Sequence, residues 1–529
     1  MTFPRALPVG DAALTLELGD SLDAATNARV RGLDRALARA PFEGFREAVP
    51  THRSLLVLYD PAAVRFEAVA RDLAARASHG ALPQLPGRLH QVPTVYGGED
   101  GPDLESLAHE RGLAASEVVR LHAAAEYTAF MLGFTPGFGY LGLLPEPLWC
   151  ARRATPRVRV PAGSVGLAGR QTGIYPVASP GGWRIVGRVA LRLFDPLRPE
   201  PALFAPGDRV RFVPVAELPP WRPPAGMLPP GEAAAVEALE PGLLTTIQDG
   251  GRAGYRRVGV SGAGPMDARA HAAANDALGN ASGSAALECT VAGPALAFLA
   301  PLRFAVAGGD LGAVLERADL GTWPVPLGAS VLARPGNVLR FAGRRSGCRA
   351  YVALQGGIDV PEVLGSRATD LPSAFGGFAG RALRAGDRIA PRAPHGEVSP
   401  RPRRPEPGAS RATARVVMGP QADHFDPETI ARFLSSPWRI GSTADRVGCR
   451  LEGEPLRHAG PPEILSDGMV PGSIQVPPDG LPIVMAADGP TTGGYPKIAT
   501  VVTADLPLLA QLVPGEGTVR FEAVRVEDL

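Results

Sequence analysis

A chain of 529 residues with 54 Lys plus Arg, 53 Asp plus Glu and a formal net charge of +1 is too long for one hydrophobic core. Its charge is too evenly balanced to point to nucleic acid. The 64 glycines and 56 prolines, without a collagen period, favour several turn-rich β domains over long helices.

The four cysteines, Cys150, Cys289, Cys348 and Cys449, are too scattered for a disulfide framework or a zinc cluster and read as buried thiols. No apolar run reaches the roughly 18 residues of a membrane span. The N-terminus lacks the layout of a signal peptide, which makes cytoplasm the default location.

Residues 11–79 run strand (ALTLEL), amphipathic helix (LDAATNARVRGLDRALARA), two strands (residues 45–49 and SLLVLYD) and helix (VRFEAVARDLAARA), with a further strand at HQVPTVYGG. That order predicts a small α+β sandwich of split βαβ type over residues 1–85, without a catalytic constellation. Two short helices follow, DLESLAHERG and ASEVVRLHAAAE, with Asp103 and Ser116 as their expected N-caps. His122, at the edge of an apolar helix face, is an acid–base candidate, although a satisfied structural histidine is the commoner outcome there. In GFTPGFGYLGLL, glycines alternate with Phe134, Phe138 and Tyr140, which either brings backbone against something flat or packs aromatics over a barrel mouth. The β-branched runs in PRVRVPAGSVGLAGRQTGIYP, GGWRIVGRV and GDRVRFVPV predict a closed β-barrel over residues 86–214.

Residues 215–234 are proline-rich and read as a semi-rigid linker. Beyond them, residues 235–390 form a β-rich module in which Gln248, Asp249, Arg252 and Asp267 sit in glycine turns and residues 266–278 offer one helix with Gly279 as C-cap. A second proline-rich linker, 391–411, precedes a last barrel module, 412–529. There, residues 466–497 (SDGMVPGSIQVPPDGLPIVMAADGPTTGGYPK) read as two tight strands joined by turns. The final residue, Lys497, is the chain's only lysine, a compact three-donor cation that either suits a phosphate or carboxylate or is simply solvated at a strand end, where alanine should leave the fold intact. The stretch repeats residues 160–176: both run Gly-Ser, an aliphatic residue, then Thr-Gly-x-Tyr-Pro, differing by an inserted PPDG hairpin. The repeat predicts one topology for two modules, with Ser164 matched to Ser473 and Tyr175 to Tyr495.

YGGEDGPDL, GFTPGFGYL, PRVRVPAGSVGLAGRQTGIYP and SPGGWRIVGR resemble the B subunit of bacterial 5-oxoprolinase, and TTIQDGGRAGY, GPMD, NDALGN, STADRVGCRLEG, VPGSIQVPPDG and TTGGYPKIA resemble its C subunit. Those proteins are related to the kinase inhibitor KipI and its antagonist KipA, and to the carboxyltransferase region of urea carboxylase. The resemblance implies a mainly β fold with an α+β N-terminal domain and cyclophilin-like β-barrels in both halves. It also implies ATP-dependent opening of 5-oxoproline to glutamate in partnership with a separate A subunit. It further implies ATP and magnesium as cofactor and leaves room for a homo-oligomer, while the balanced charge and short apolar runs give no reason to expect a nucleic-acid or membrane partner. An amide is a poor electrophile, and phosphorylating its carbonyl oxygen before water attacks is one way to activate it. With neither a GxxxxGK[ST] loop nor a kinase signature, nucleotide binding rests on the resemblance.

Within the motifs, the candidate catalytic residues are His122, Arg157, Gln171, Asp249 and Lys497. The candidate substrate- or nucleotide-binding residues are Phe134, Gly137, Ser164, Thr172, Tyr175, Gln248, Arg252, Asp267, Gly308, Gly309, Arg446, Ser473, Gln475, Thr492 and Tyr495, and no metal ligand is assigned. The Gly-Gly turns at Gly308 and Gly356 are candidate anion nests. Where the family is expected to read Asp-x-Gln-Thr-Thr-Gly-Gly-Tyr, this chain has Pro490 in place of the glutamine. Two alternatives fit the sequence less well. A KipI/KipA-type regulator fused to its own antagonist would silence itself at the effective concentration a tether imposes. A biotin-dependent carboxyltransferase needs a carboxylase domain and a biotinyl-lysine segment, and this chain's one lysine, in a GGYP turn, supplies neither.

Overall fold

The computed structural model describes residues 2–78, 87–220, 234–394 and 410–529. Most of both expected linkers, and the expected boundary at residue 85, lie outside the described residues. The fold is mainly β, with a closed seven-stranded barrel in each half.

The N-terminal sheet has the order Arg5–Pro8, Ala13–Glu17, Ser54–Tyr59, Phe45–Pro50, with every pair antiparallel. Period-two alternation sends Leu14, Leu16, Leu55 and Val57 toward the helices Ala24–Arg39 and Phe66–Ser78. It sends Ala13, Val49 and Leu56 to the opposite face, where they meet Val470 of the C-terminal barrel. A sheet covered on both faces accounts for the uninterrupted burial of Ala13–Glu17.

Two expectations about this region are corrected. The expected split βαβ unit is present, with Ala13–Glu17 and Phe45–Pro50 joined by the helix Ala24–Arg39 and parallel on either side of the antiparallel Ser54–Tyr59, but the sheet gains an edge strand, Arg5–Pro8, whose bounding prolines hid the strand pattern. The HQVPTVYGG strand, Leu89–Tyr96, leaves this sheet for the first barrel because Val92 packs into the barrel core. Helix Ala115–Ala124 starts after Ala114, so Ser116 lies inside its first turn and does not cap it. Asp103 does hold the cap position of Leu104–Arg111, but its carboxylate accepts from Arg153, Arg157 and the Ile185 amide instead of capping the helix.

The strands of the first barrel, in chain order, are Leu89–Tyr96, Tyr127–Leu132, Gly139–Gly142, Ser164–Ala168, Gln171–Ile174, Arg184–Arg188 and Arg209–Pro214. Those of the second are Arg411–Met418, Trp438–Ile440, Gly448–Glu452, Ser473–Gln475, Ile483–Met485, Lys497–Val501 and Thr518–Ala523. Numbered within each barrel, both close in one cyclic order, 1-6-4-5-3-2-7, and in both the first and last strands pair in parallel. Ser164 and Ser473 each open the fourth strand. Two seven-stranded barrels with the same crossovers are one module used twice.

Between the barrels lies a β-sandwich. A six-stranded sheet containing Val236–Glu240, Ala295–Phe298 and Val338–Phe341 faces a five-stranded sheet containing Leu244–Gln248, Ala286–Thr290, Leu302–Asp310 and Ser346–Leu354. Leu296, Phe298, Phe304, Leu339 and Val352 fill the space between the sheets. Helix Ala268–Asp276, shorter than residues 266–278, covers the outer face of the five-stranded sheet through Ala270, Ala274 and Tyr351. All four cysteines are buried free thiols.

Candidate functional site

Each barrel sets aside two short segments, one before its fourth strand and one before its sixth, and pairs them as a ribbon. In the first barrel Arg157–Val160 pairs with Ser179–Gly181, and in the second Asp467–Gly468 pairs with Thr492–Gly493. Arg157 stands opposite Gly181 and Asp467 opposite Gly493, so equivalent positions carry opposite charges. The ribbons also correct the match of Tyr175 to Tyr495. Tyr175 directly follows the fifth strand, whereas Tyr495 lies just before the sixth, where the first barrel has Trp183. The counterpart of Gly493-Gly494-Tyr495 is Gly181-Gly182-Trp183, and the shared Tyr-Pro string is out of step by one strand.

Around the second ribbon, three parts of the chain converge. Lys497, expected at a solvated strand end, has a fully buried side chain whose Nζ sits 3.0 Å from Asp467 Oδ2. The reason is the N-terminal sheet, which closes over the ribbon: Ser54 Oγ donates to Asp467 Oδ1 at 2.6 Å. Gln421 Nε2 donates to the other carboxylate oxygen at 3.3 Å. Burial alone would raise the Asp467 carboxyl, but the Lys497 ammonium and the Ser54 hydroxyl outweigh it and hold it below the usual carboxylate range.

His52, 1% exposed, stands edge-on to Tyr140 at 5.4 Å and to Phe130 at 6.2 Å, and neither ring nitrogen has a hydrogen-bond partner among the described residues. A buried imidazole with both nitrogens free, close enough to feel the Asp467 charge, calls for a functional explanation. The first barrel supplies the remaining wall. The Phe134 amide donates to Thr492 Oγ1 at 2.9 Å, and the Tyr140 phenol faces the Ser466 and Thr492 hydroxyls. Phe134 has a φ of 66°, a left-handed conformation that is strained for an aromatic residue. Its glycine-rich loop packs Phe134, Phe138, Tyr140, Tyr175 and Trp183 together, the aromatic-packing alternative of the two read from sequence.

The other candidates fall into two groups. His122 is enclosed in the first barrel, with Nδ1 2.7 Å from Tyr96 Oη and Nε2 3.0 Å from Thr172 Oγ1, a fully satisfied residue. Gln171 and Ser164 are buried in the same barrel, Arg157 forms a bidentate pair with Asp103 at 2.8 Å, and the Gly137 amide donates to Val258 O. In the second half, Gln248 spends its amide on Thr246, Thr369 and Gly264, and Asp249 accepts from Gly251, Ser366 and Arg367. Asp267 caps its helix and accepts from Gln511. Arg446 bridges Glu288 and Asp488 at 2.5 and 2.7 Å, and Arg252 grips the carbonyls of Val363 and Ala368. Gly308 and Gly309 press against the Arg349 carbonyl, and the Gly356 amide donates to Asn280, so these turns serve strand packing instead of forming open nests. Ser473 and Gln475 lie on the fourth strand of the second barrel, Gln475 paired with Lys497, while Tyr495 is half-buried.

Of the junction residues, the sequence reading singled out Phe134, Thr492 and Lys497 but passed over His52, Ser54, Gln421 and Asp467. The one available signal was the SDG that stands ahead of the second copy of the repeat, with its acid on an apolar background.

Burial holds the imidazoles of His52 and His122 neutral, down to about 3. In the unfolded chain each takes a proton near 6.5, so unfolding takes up protons between that value and about 3. Stability is therefore expected to fall on acidification through this window, by up to about 1.4 kcal/mol per pH unit for each histidine. Denaturation midpoints compared between pH 7 and pH 5 should drop less in His52→Gln than in the wild type; equal slopes would show that His52 is protonated in the folded protein.

The family model described as carboxyltransferase domain, subdomain C and D, matches residues 4–204, and that for subdomain A and B matches residues 258–523. The first half is 44% identical over 218 residues to the B subunit of 5-oxoprolinase from Escherichia coli O157:H7, covering 41% of this chain and 99% of that protein. The second half is 38% identical over 286 residues to the C subunit of 5-oxoprolinase from Escherichia coli strain K12, covering 53% of this chain and 89% of that protein. The crystal structure of TTHA0988 is similar over 96% of this chain and 99% of its own, with a TM-score of 0.83 and 37% identity. The duplicated barrels, the sandwich between them and these matches together place the protein in the carboxyltransferase-domain family, with subdomains C and D preceding A and B and its two halves resembling the B and C subunits of 5-oxoprolinase joined in one chain.

Proposed function

We propose that this chain is the ATP-dependent, lactam-activating component of a 5-oxoprolinase and works with a separate A subunit to convert 5-oxoproline to glutamate. The observation that carries the reading is that one chain spans nearly the whole of two 5-oxoprolinase proteins, a B and a C subunit, at 44% and 38% identity. In this reading the lactam carbonyl oxygen takes the γ-phosphoryl group and ADP leaves. Water then adds to the activated carbon and the ring nitrogen departs as the amine, leaving a γ-glutamyl phosphate, from which a second water releases phosphate and glutamate.

The barrel junction supplies groups for this chemistry. Lys497, paired with Asp467, neutralises negative charge at the lactam oxygen, and the neutral, unpartnered His52 offers its ring N–H to the substrate as a hydrogen-bond donor. Both are sealed from solvent, so the substrate reaches them when the Phe134 loop lifts from Thr492. Release of ADP, measured in a coupled assay, should require both 5-oxoproline and the A subunit for full turnover to glutamate. Lactam opening by this chain alone, at the same rate without nucleotide, would rule the reading out.

A further inference from the structure

A cleft of about 690 Å³ opens between the first barrel and residues 361–379 of the second half, bordering the Phe134 loop through Leu193 and Phe194, which lie against Gly137. Its size falls within the range of small-molecule sites, and it lies between units of the fold, where such sites concentrate. Its walls are of two kinds. The barrel side carries Arg159, Arg188 and Arg192, and no Asp or Glu lines the cleft among the described residues. Arg188 is 3.4 Å from Asp100 and Arg192 is 2.8 Å from Asp195, both acids lying outside the lining. Arg159 has no hydrogen bond or ion pair among the described residues, and Arg192 Nε is buried without a partner. The facing side is apolar, carrying Val363 and Phe375, and the Phe375 ring meets Phe194 of the barrel side with centroids 5.8 Å apart.

The segment bearing Phe375 is also where backbone strain gathers. Leu364, Ala374 and Ala379 hold φ values of 56°, 56° and 50°, three of the six non-glycine residues with positive φ among the described residues. Arg252 fixes this segment by stacking on Phe375 at 4.7 Å and gripping the carbonyls of Val363 and Ala368. Strain of this kind persists where the surroundings enforce it and clusters at ligand clamps.

We propose that this cleft is the nucleoside triphosphate site. The arginines hold the phosphates, Arg159 and Arg192 foremost, and the base lies against Phe194 and Phe375. The proposal rests on the 5-oxoprolinase reading for its choice of nucleotide. It explains how a chain without a phosphate-binding glycine loop takes ATP, through side-chain cations in place of backbone amides.

The test titrates ADP, with magnesium, into the full chain and into Arg159→Glu and Arg192→Glu, followed by calorimetry, with melting curves to confirm folding. Each variant should bind ADP at least tenfold more weakly. An azido-ATP label should map to peptides from residues 159–197 or 361–379. Wild-type affinity in both folded variants, or labelling elsewhere, would overturn the site. ATP turnover in the presence of the A subunit, measured in parallel, separates the two claims. Normal 5-oxoproline-dependent turnover with an unchanged KM for ATP in the variants removes the site and leaves the function. Nucleotide bound in the cleft without any 5-oxoproline-dependent turnover upholds the site and removes the function.

Discussion

Lys497→Ala is expected to destabilise the fold by about 3–5 kcal/mol, because it leaves the Asp467 carboxylate buried without its counter-charge. Sequence alone suggested the opposite, that alanine would be tolerated at a strand end. The geometry reverses this, since the Lys497 side chain is fully buried and that of Asp467 is only 4% exposed. The double variant Asp467→Asn, Lys497→Met should recover most of the loss, since no charge then remains to be solvated. Urea denaturation of the three proteins checks the cycle, and an alanine variant within about 1 kcal/mol of wild type, the worth of an exposed pair, would show that the pair is solvated. The stable double variant also tests catalysis: it should fold but fail to turn over 5-oxoproline, whereas retained turnover would return the pair to a structural role.

Arg446→Met should be as damaging, for a different reason. Arg446 is the cation between Glu288 of the sandwich and Asp488 of the second barrel, and all three side chains are no more than 2% exposed. Burial already raises the Asp488 carboxyl to about 6 against the opposing pull of Arg446, while Arg446, Arg349 and Tyr351 together overcome burial at Glu288 and hold its carboxyl low. Without Arg446 both acids favour the protonated form when folded. The variant's deficit, about 3–5 kcal/mol at pH 8 by the same argument, should therefore shrink as the pH falls to 5, where folding takes up protons. A deficit independent of pH would mean that the loss comes from packing and not from charge.

What could be read in the sequence followed from how local the signal was. The barrels were legible because their strands are short, β-branched and punctuated by Gly and Pro, and the duplication because Gly-Ser opens the fourth strand of both. The register failed where similar strings do different work: Thr-Gly-x-Tyr-Pro ends a strand in one barrel, and Thr-Gly-Gly-Tyr-Pro precedes the next strand in the other. Charge was harder to read than shape. Lys497 looked solvated because what covers it is a sheet from the other end of the chain, and no local pattern reports Ser54 against Asp467 or Glu47 against the Arg256 amide. The arginines named from motifs were mostly already paired, and Arg159, next but one to Arg157, was passed over because a motif does not show which cations remain free.

The bond between Ser54 and Asp467 joins positions 413 residues apart. At about 5–20 residues per second of synthesis, the N-terminal sheet leaves the ribosome roughly 20–80 seconds before its counterpart exists. Through that interval the face carrying Val49 and Leu56 has nothing to cover it, and burying each such side chain is worth about 1.5–3 kcal/mol. Nascent chains stalled before residue 467 should therefore hold that face open to chaperones, and the site should form among the last events of synthesis.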